Sequence, residues 1–228
     1  YGLAIGVGQF GLLFIAIDGH IAAGLASLIV QSQAVFTIGM AMALNGERLA
    51  RLQWGALALA AAGVALIAGH TGGEVSITGI LLVLGAALGW ALGNMVQRAV
   101  GKVDMLGFIT WSSLFAVPPL AGLALWFEGW PVLRAALLAA PGTVWLAVAW
   151  QALGNTLFGY GAWGWLLARW PASSVAPTSL LVPVFGMAST ALVLGEALPW
   201  WKLAAAALII SGLALNVLAG RLPRRARA

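Results

Sequence analysis

The sequence predicts an all-α integral membrane protein, a bundle of eight transmembrane helices. Three observations carry that expectation. Hydrophobic residues make up 62% of the 228 and charged residues 7%, against roughly 25% charged in a soluble domain, and mean hydropathy is +1.01. The apolar residues come in runs of 16 to 25 separated by polar breaks, near the roughly 20 that cross a bilayer core as helix. Glycine is abundant, at 30 residues, as expected where helices approach closely in lipid.

The first run, 2–17, ends at Asp18-Gly19-His20. The second, 22–44, ends at Asn45-Gly46-Glu47-Arg48, where glycine suits a helix C-terminus. The third, 52–68, meets His70-Thr71-Gly72-Gly73-Glu74, and the fourth, 77–97, meets a break from Arg98 to Asp104. The fifth, 106–127, precedes a long break, 128–142, whose Trp130, Pro131 and Arg134 fit a short interfacial helix. The sixth, 143–167, closes on Arg169-Trp170-Pro171, the seventh, 175–194, on Gly195-Glu196, and the eighth, 200–218, runs into a basic tail, 221–228. Tryptophans near run ends (Trp54, Trp130, Trp170, Trp200, Trp201) read as interface anchors.

Basic residues orient the bundle. Arg48, Arg51, Arg98, Lys102, Arg169, Arg221, Arg224, Arg225 and Arg227 fall on one side, and Arg134 and Lys202 on the other. The rule that cytoplasmic loops are lysine- and arginine-rich puts the C-terminus in the cytoplasm and Glu196 outside. The net charge of +5 belongs to those loops, and nucleic-acid binding is a poor account of it. No cysteine is present, so there is no disulfide framework or thiolate chemistry. His20 and His70, isolated and without clustered carboxylates, do not point to a metal site, and no cofactor is expected.

An internal repeat organises the chain. Shifted by 149 residues, 23–66 lies over 172–215 without a gap, with 12 of 44 positions identical, against about one in eight expected from composition. Val35-Phe36 falls on Val184-Phe185, Gly46-Glu47 on Gly195-Glu196, Leu49 on Leu198 and Gly63 on Gly212. The charge rule puts Glu47 inside and Glu196 outside, so the copies have opposite topology, as in many secondary transporters. The second copy, starting near residue 77, has five apolar runs, and the first has three before that point. The expectation is that two helices precede Tyr1 in the intact protein. Residues 1–69 then hold the last three helices of one repeat and 77–220 a complete second repeat.

Several segments resemble the EamA repeats of the drug/metabolite transporter superfamily. They are 23–31 with Gly46-Glu47-Arg48-Leu49, and 174–185 with Gly195-Glu196-Ala197-Leu198. Further points of likeness are Gln9-Phe10, Gln31, Gln33, Trp90, Gly93-Asn94, Gly159-Tyr160-Gly161, Trp163-Gly164 and 180–183. The likeness spans essentially the whole chain and is strongest to the family's O-acetylserine and cysteine exporters. It implies a ten-helix, five-plus-five inverted-repeat fold in the inner membrane, of which this chain lacks the first two helices. Ala197 departs from the family, where arginine usually follows the glutamate.

Polar groups at membrane depth need partners. Residues three, four and seven apart share a helix face, which groups Gly24, Ser27, Gln31 and Ala34; Gln33 and Thr37; Trp90, Asn94 and Gln97; Gln151 and Asn155; Thr156, Tyr160 and Trp163; and Ala176, Ser179, Pro183, Gly186 and Thr190. Pro177 and Pro183 remove N–H groups and free the carbonyls of Ser173 and Ser179. Each of these residues serves equally as interhelical glue, at about 0.6 kcal/mol per contact. Taken together they read as a substrate cavity between the repeats, with Gln9, Ser27, Gln31, Gln33, Trp90, Asn94, Asn155, Tyr160, Trp163, Ser179 and Pro183 as its candidates. The Gly-Glu pairs read as helix ends, the carboxylate solvated or capping the next helix.

All six acids fall at breaks, and every Lys and Arg lies at a break or, as Lys202 does, at the end of a run. An intramembrane enzyme would need a base beside its nucleophile at depth, and a phosphate carrier would need an interior cation. A neutral or zwitterionic metabolite fits better, exported by alternating access from a monomer or homodimer in lipid. Import, or carriage of other metabolites, fits the same fold. Two measurements check this section. The reading frame upstream of Tyr1 should encode a hydrophobic helix pair, and an initiator codon there with none before it refutes the repeat count. An impermeant maleimide on intact cells should label A197C and spare A226C, and the reverse pattern inverts the topology.

Overall fold

The computed structural model describes residues 1–45, 51–100, 103–159, 162, 165, 166, 169 and 180–221. Among them there is helix and no strand beyond isolated bridges. The helices are α1 (Leu3–Ile17), α2 (Ala23–Leu44), α3 (Arg51–Ala68), α4 (Ile77–Val100) and α5 (Met105–Phe127). They continue with α6 (Gly129–Ala139), α7 (Gly142–Phe158), α8 (Leu181–Leu194) and α9 (Trp200–Arg221). Five are long and apolar enough to cross a membrane, and six if α6 and α7, bent by 95° at their junction, count as one span. Over the described residues each apolar run coincides with one of these helices, and the long break after Phe127 carries α6, a helix of 11 residues. Hydrocarbon offers no partner to a free peptide group, so runs of this composition close their hydrogen bonds within the segment.

Two helices depart from regular α geometry. α1 is wound as π-helix over Leu3–Gly11, and α7 over Trp150–Phe158. α2 is interrupted by a 3₁₀ turn at Val30–Ser32, where the polar triplet Gln31-Ser32-Gln33 stands in an otherwise apolar helix. Such irregularities inside helices often mark functional positions.

The core sits toward one end of the bundle. Its buried members are Ala16 of α1, Ile21 before α2 and Leu25, Ala26, Leu28, Ile29 and Val30 on it, Ile67 at the end of α3, Val75 before α4 and Ile80, Val83 and Ala87 on it, Met187 of α8, and Ala205, Ala206 and Ile209 near the start of α9. These lie next to the breaks at 18–22, 69–76 and 195–199. The same end is cross-braced through backbone. Ala22 N–H donates to Glu74 O at 2.9 Å, Ser76 N–H to His20 O at 2.9 Å, and Ile21 bridges Val75. α5, α6 and α7 bury little beyond Ile109 and Ala116 and lie at the periphery.

α3 and α9 form the most extensive helix pair and run antiparallel. Gln53 near the start of α3 donates to Asn216 near the end of α9 at 3.3 Å, while Ile67 and Ala205 share the core at the opposite end. Glycine permits the close approach. A Cβ on Gly63 would meet Ile209 Cγ1 at 2.6 Å and Ala205 O at 3.1 Å; one on Gly212 would meet Ala56 O at 2.7 Å and Ala60 N at 3.0 Å. Add 149 to Gly63, Ala56 and Ala60 and the result is Gly212, Ala205 and Ile209. The crossing is therefore reciprocal, as a two-fold relation requires. Copies related by a simple shift would place these helices parallel; the antiparallel pairing is the relation of an inverted repeat.

The obstruction differs between the mates. Backbone faces Gly212 most closely, whereas a side chain capable of moving faces Gly63. Gly212→Ala should destabilise by about 1–3 kcal/mol, and Gly63→Ala by less. Thermal unfolding in detergent measures the difference, and equal, negligible losses would show that the crossing is looser than the geometry implies.

Candidate functional site

The site is built around α2. Its first turn has Ala22 at the N-cap and no local side chain capping it, and alanine is a poor cap. The free N–H of Gly24 is met from the far end of the chain. Glu196 accepts it with Oε2 at 3.2 Å and Oε1 at 3.4 Å. Gly195, left-handed at φ 69, ends α8 as a glycine C-cap does and turns Glu196 toward α2. The carboxylate therefore caps a helix 172 residues away in sequence, and the expectation that it would be solvated or cap the following helix is corrected. Glu47, its repeat mate, lies outside the described residues.

α8 packs along the start of α2 through small residues. A Cβ on Gly24 would lie 2.6 Å from both Glu196 Oε2 and Thr190 Oγ1, and one on Gly186 would lie 2.6 Å from Ser27 Oγ. Ser27 Oγ donates to Gly24 O at 2.7 Å, so this candidate is partnered within its own helix. Pro183 is fully buried in the first turn of the described α8, where an intrahelical N–H is not required. Ser179 and Pro177, with the carbonyls expected to be freed there, lie outside the described residues, as do Tyr160 and Trp163.

One turn further along α2 the amides begin. Gln31, in the 3₁₀ turn, is 4% exposed, and its Nε2 has no hydrogen-bond partner in the protein. Leaving such a donor unpaired costs about 1–3 kcal/mol. Gln33 and Asn94, assigned to separate faces of separate helices by sequence, meet: Asn94 Nδ2 donates to Gln33 Oε1 at 2.9 Å and to Thr37 Oγ1 at 3.3 Å. Gln9 is buried in the π stretch of α1, and α1 approaches α4 so closely that a Cβ on Gly89 would lie 2.8 Å from Gln9 N. Trp90, the next residue, packs half-buried against the core. Asn155 is exposed on α7 and donates to Gln151 Oε1 at 3.1 Å. The structure thus brings Gln9, Gln33, Trp90 and Asn94 onto α4 and its neighbours, with Gln31 beside them, and leaves Asn155 apart, because α7 packs little against α1–α4.

Two open spaces lie among the described residues. One, of about 340 Å³, is lined by Ser32, Val35, Phe36, Leu57, Ala60, Ala61, Val64, Ala65 and Leu84. The other, of about 670 Å³, lies between the start of α1 and α5, beside Tyr1, Asp104, Phe108 and Trp111. Both are mainly apolar, and none of the candidate amides lines either of them.

Lys202 corrects a second expectation. It was assigned to an outer break, yet it lies in the first turn of α9, 2% exposed. Its Nζ pairs with Glu74 Oε2 at 2.5 Å and lies 5.8 Å from the Trp201 ring centroid. Trp201, expected as an interface anchor, stacks on His70 at 4.7 Å, and His70 Nδ1 lies 2.8 Å from Leu66 O. Trp54, Trp130 and Trp200 remain exposed, as anchors would be. No sequence signal within α9 announced the Lys202 pairing, since Glu74 is 128 residues away.

Comparison with known proteins adds an independent line. The model of the EamA-like transporter family matches residues 77–218. The chain is 40% identical over 233 residues to a "Probable amino-acid metabolite efflux pump" of Salmonella typhimurium, covering 100% of this chain and 78% of that one. It is 39% identical over 223 residues to the protein of the same description in Escherichia coli, with coverage of 95% and 75%. It is 28% identical over 218 residues to a "Probable terminal-alkyne amino-acid exporter" of Streptantibioticus cattleyicolor, with coverage of 93% and 70%. No solved structure matches.

The buried ion pair is asymmetric, with the Glu74 side chain 50% exposed and that of Lys202 3%. Removing the acid strands a buried ammonium, whereas replacing the lysine leaves a carboxylate that water reaches. E74A should destabilise by about 2 kcal/mol and K202M by clearly less. Equal losses in detergent unfolding would mean that the ammonium is hydrated.

Proposed function

The chain belongs to the EamA-like transporter family, and on that premise we propose that it is a secondary transporter exporting amino acids or related small metabolites across the inner, or plasma, membrane. That it is a multi-pass membrane protein follows from the family and the apolar helices. The relatives' descriptions, two efflux pumps for amino-acid metabolites and an amino-acid exporter, support the direction and the substrate class. The basic residues favour a cytoplasmic C-terminus and an external Glu196. The family match over 77–218 supports reading 77–220 as one repeat, and the 149-residue self-match supports reading 1–69 as part of another.

One observation carries the site: the Nε2 of Gln31, buried and unpaired at a break in α2. A transporter fold tolerates irregular backbone at depth where it faces protein or a wet path, and an unsatisfied donor there is free to bind. Amide N–H groups suit a carboxylate oxygen, the group common to amino acids. Asn94 already donates to Gln33 and Thr37, so it positions α2 against α4 and leaves Gln31 to meet the substrate. Trp90 and Gln9 complete the wall. Among the described residues the buried cation is Lys202, which is paired with Glu74, and this weakens the case for a phosphate-bearing substrate.

Gln31→Leu separates binding from structure. It keeps the volume and removes the orphan donor, so thermal stability should hold or rise by about 1 kcal/mol while export falls by at least about tenfold, the effect of about 1.4 kcal/mol. Efflux of radiolabelled O-acetylserine or cysteine from cells measures the second. Normal export by the leucine variant would remove Gln31 from the site.

A further inference from the structure

We infer that Glu196 is a latch, a positioning residue that holds one end of the transport path shut by clasping the start of α2, and that export requires the clasp to part. The inference rests on the proposed path beside Gln31 but concerns another residue and another step.

The contact has the geometry of something made to release. It joins two segments 172 residues apart, and both carboxylate oxygens point at one N–H, at 3.2 and 3.4 Å. Charge-assisted hydrogen bonds are ordinarily about 2.7–2.9 Å, so this one is long and weak for its type. The nearby Lys202–Glu74 pair, at 2.5 Å with the ammonium buried, is the opposite case. The α3–α9 pair is tied at one end by Gln53–Asn216, and at the other the ion pair holds α9 to the 69–76 loop that follows α3.

The extent of packing agrees. α8 meets α2 over Ala23–Ile29, and past the 3₁₀ turn α2 leans on α4 instead. α8 can therefore lift from the first two turns of α2 without disturbing Asn94 and Gln33. At the clasp the facing residues are small, Gly24 against Thr190 and Ser27 against Gly186, while Pro183 and Met187 of α8 are buried and would be uncovered as it lifts. Gly24 precedes Gln31 by seven residues, about 10 Å along a helix and on the same face, so the clasp and the unpaired amide belong to one side of α2.

The absence of cysteine from the chain makes a single S27C a reporter of water access behind the clasp. Its labelling by an impermeant maleimide is followed in the intact transporter, in cells and in inverted membrane vesicles. E196A removes the acceptor. G24A keeps every charge and drives a methyl into the carboxylate and Thr190. Each should speed S27C labelling by at least about fivefold, equivalent to about 1 kcal/mol on the closed state, and E196Q should fall between them and the parent. If E196A does not reach the membrane, G24A and E196Q decide. Faster labelling in cells supports the latch and the external position of Glu196. Faster labelling in inverted vesicles alone supports the latch and reverses the orientation proposed above. Unchanged labelling in folded G24A and E196Q overturns the latch. Q31L should leave these rates alone, so failure of the Gln31 site and failure of the latch are separable.

Discussion

A peptide group left unpaired in hydrocarbon costs several kcal/mol, and every feature of this protein answers to that cost. It makes each apolar run a helix. It also places the exceptions, because a backbone or side-chain polar group without an in-helix partner must be met by another helix or face a hydrated path. The N-terminus of α2 is met by Glu196, the ammonium of Lys202 by Glu74, and the amide of Asn94 by Gln33 and Thr37. Gln31 Nε2 is the buried side-chain group, among the described residues, that has no such answer.

Close approach is the second condition, since lipid supplies little hydrophobic drive between helices and packing must supply the attraction. Glycine works here by absence of side chain. Gly63 and Gly212 let α3 and α9 touch, Gly89 lets α4 reach the backbone of α1, and Gly24 and Gly186 let α8 lie on α2. In the first two cases the neighbours are backbone or core side chains, and the result is a frame. In the third the neighbours at Gly24 and Gly186 are a carboxylate and two hydroxyls, and the contact is polar where the frame is not.

Sequence reasoning located the helices because it relies on local quantities: run length, breaks, and the periodicity that puts Gly24, Ser27 and Gln31 on one face. It paired Gln151 with Asn155 for the same reason, being one turn apart. It separated Gln33 from Asn94, which lie 61 residues apart and meet where α2 packs on α4. It read Glu196 and Lys202 as interface residues because both lie at breaks; the fold folds those breaks back onto α2 and onto the 69–76 loop.

By itself the sequence determined that this is a membrane-spanning helical bundle and which side its charges favour, and it carries a self-match at a 149-residue offset, since composition, charge placement and that offset are properties of the string. Tertiary structure alone decided which polar groups are answered and which is left open. Hydrogen bonding depends on positions within about 3 Å, and two helices approach to that distance only where the residues between them are small and the breaks at their ends fold back. That made Asn94 a brace, Lys202 a buried half of an ion pair, and Glu196 the cap of a helix at the far end of the chain, with Gln31 left unpaired on that helix.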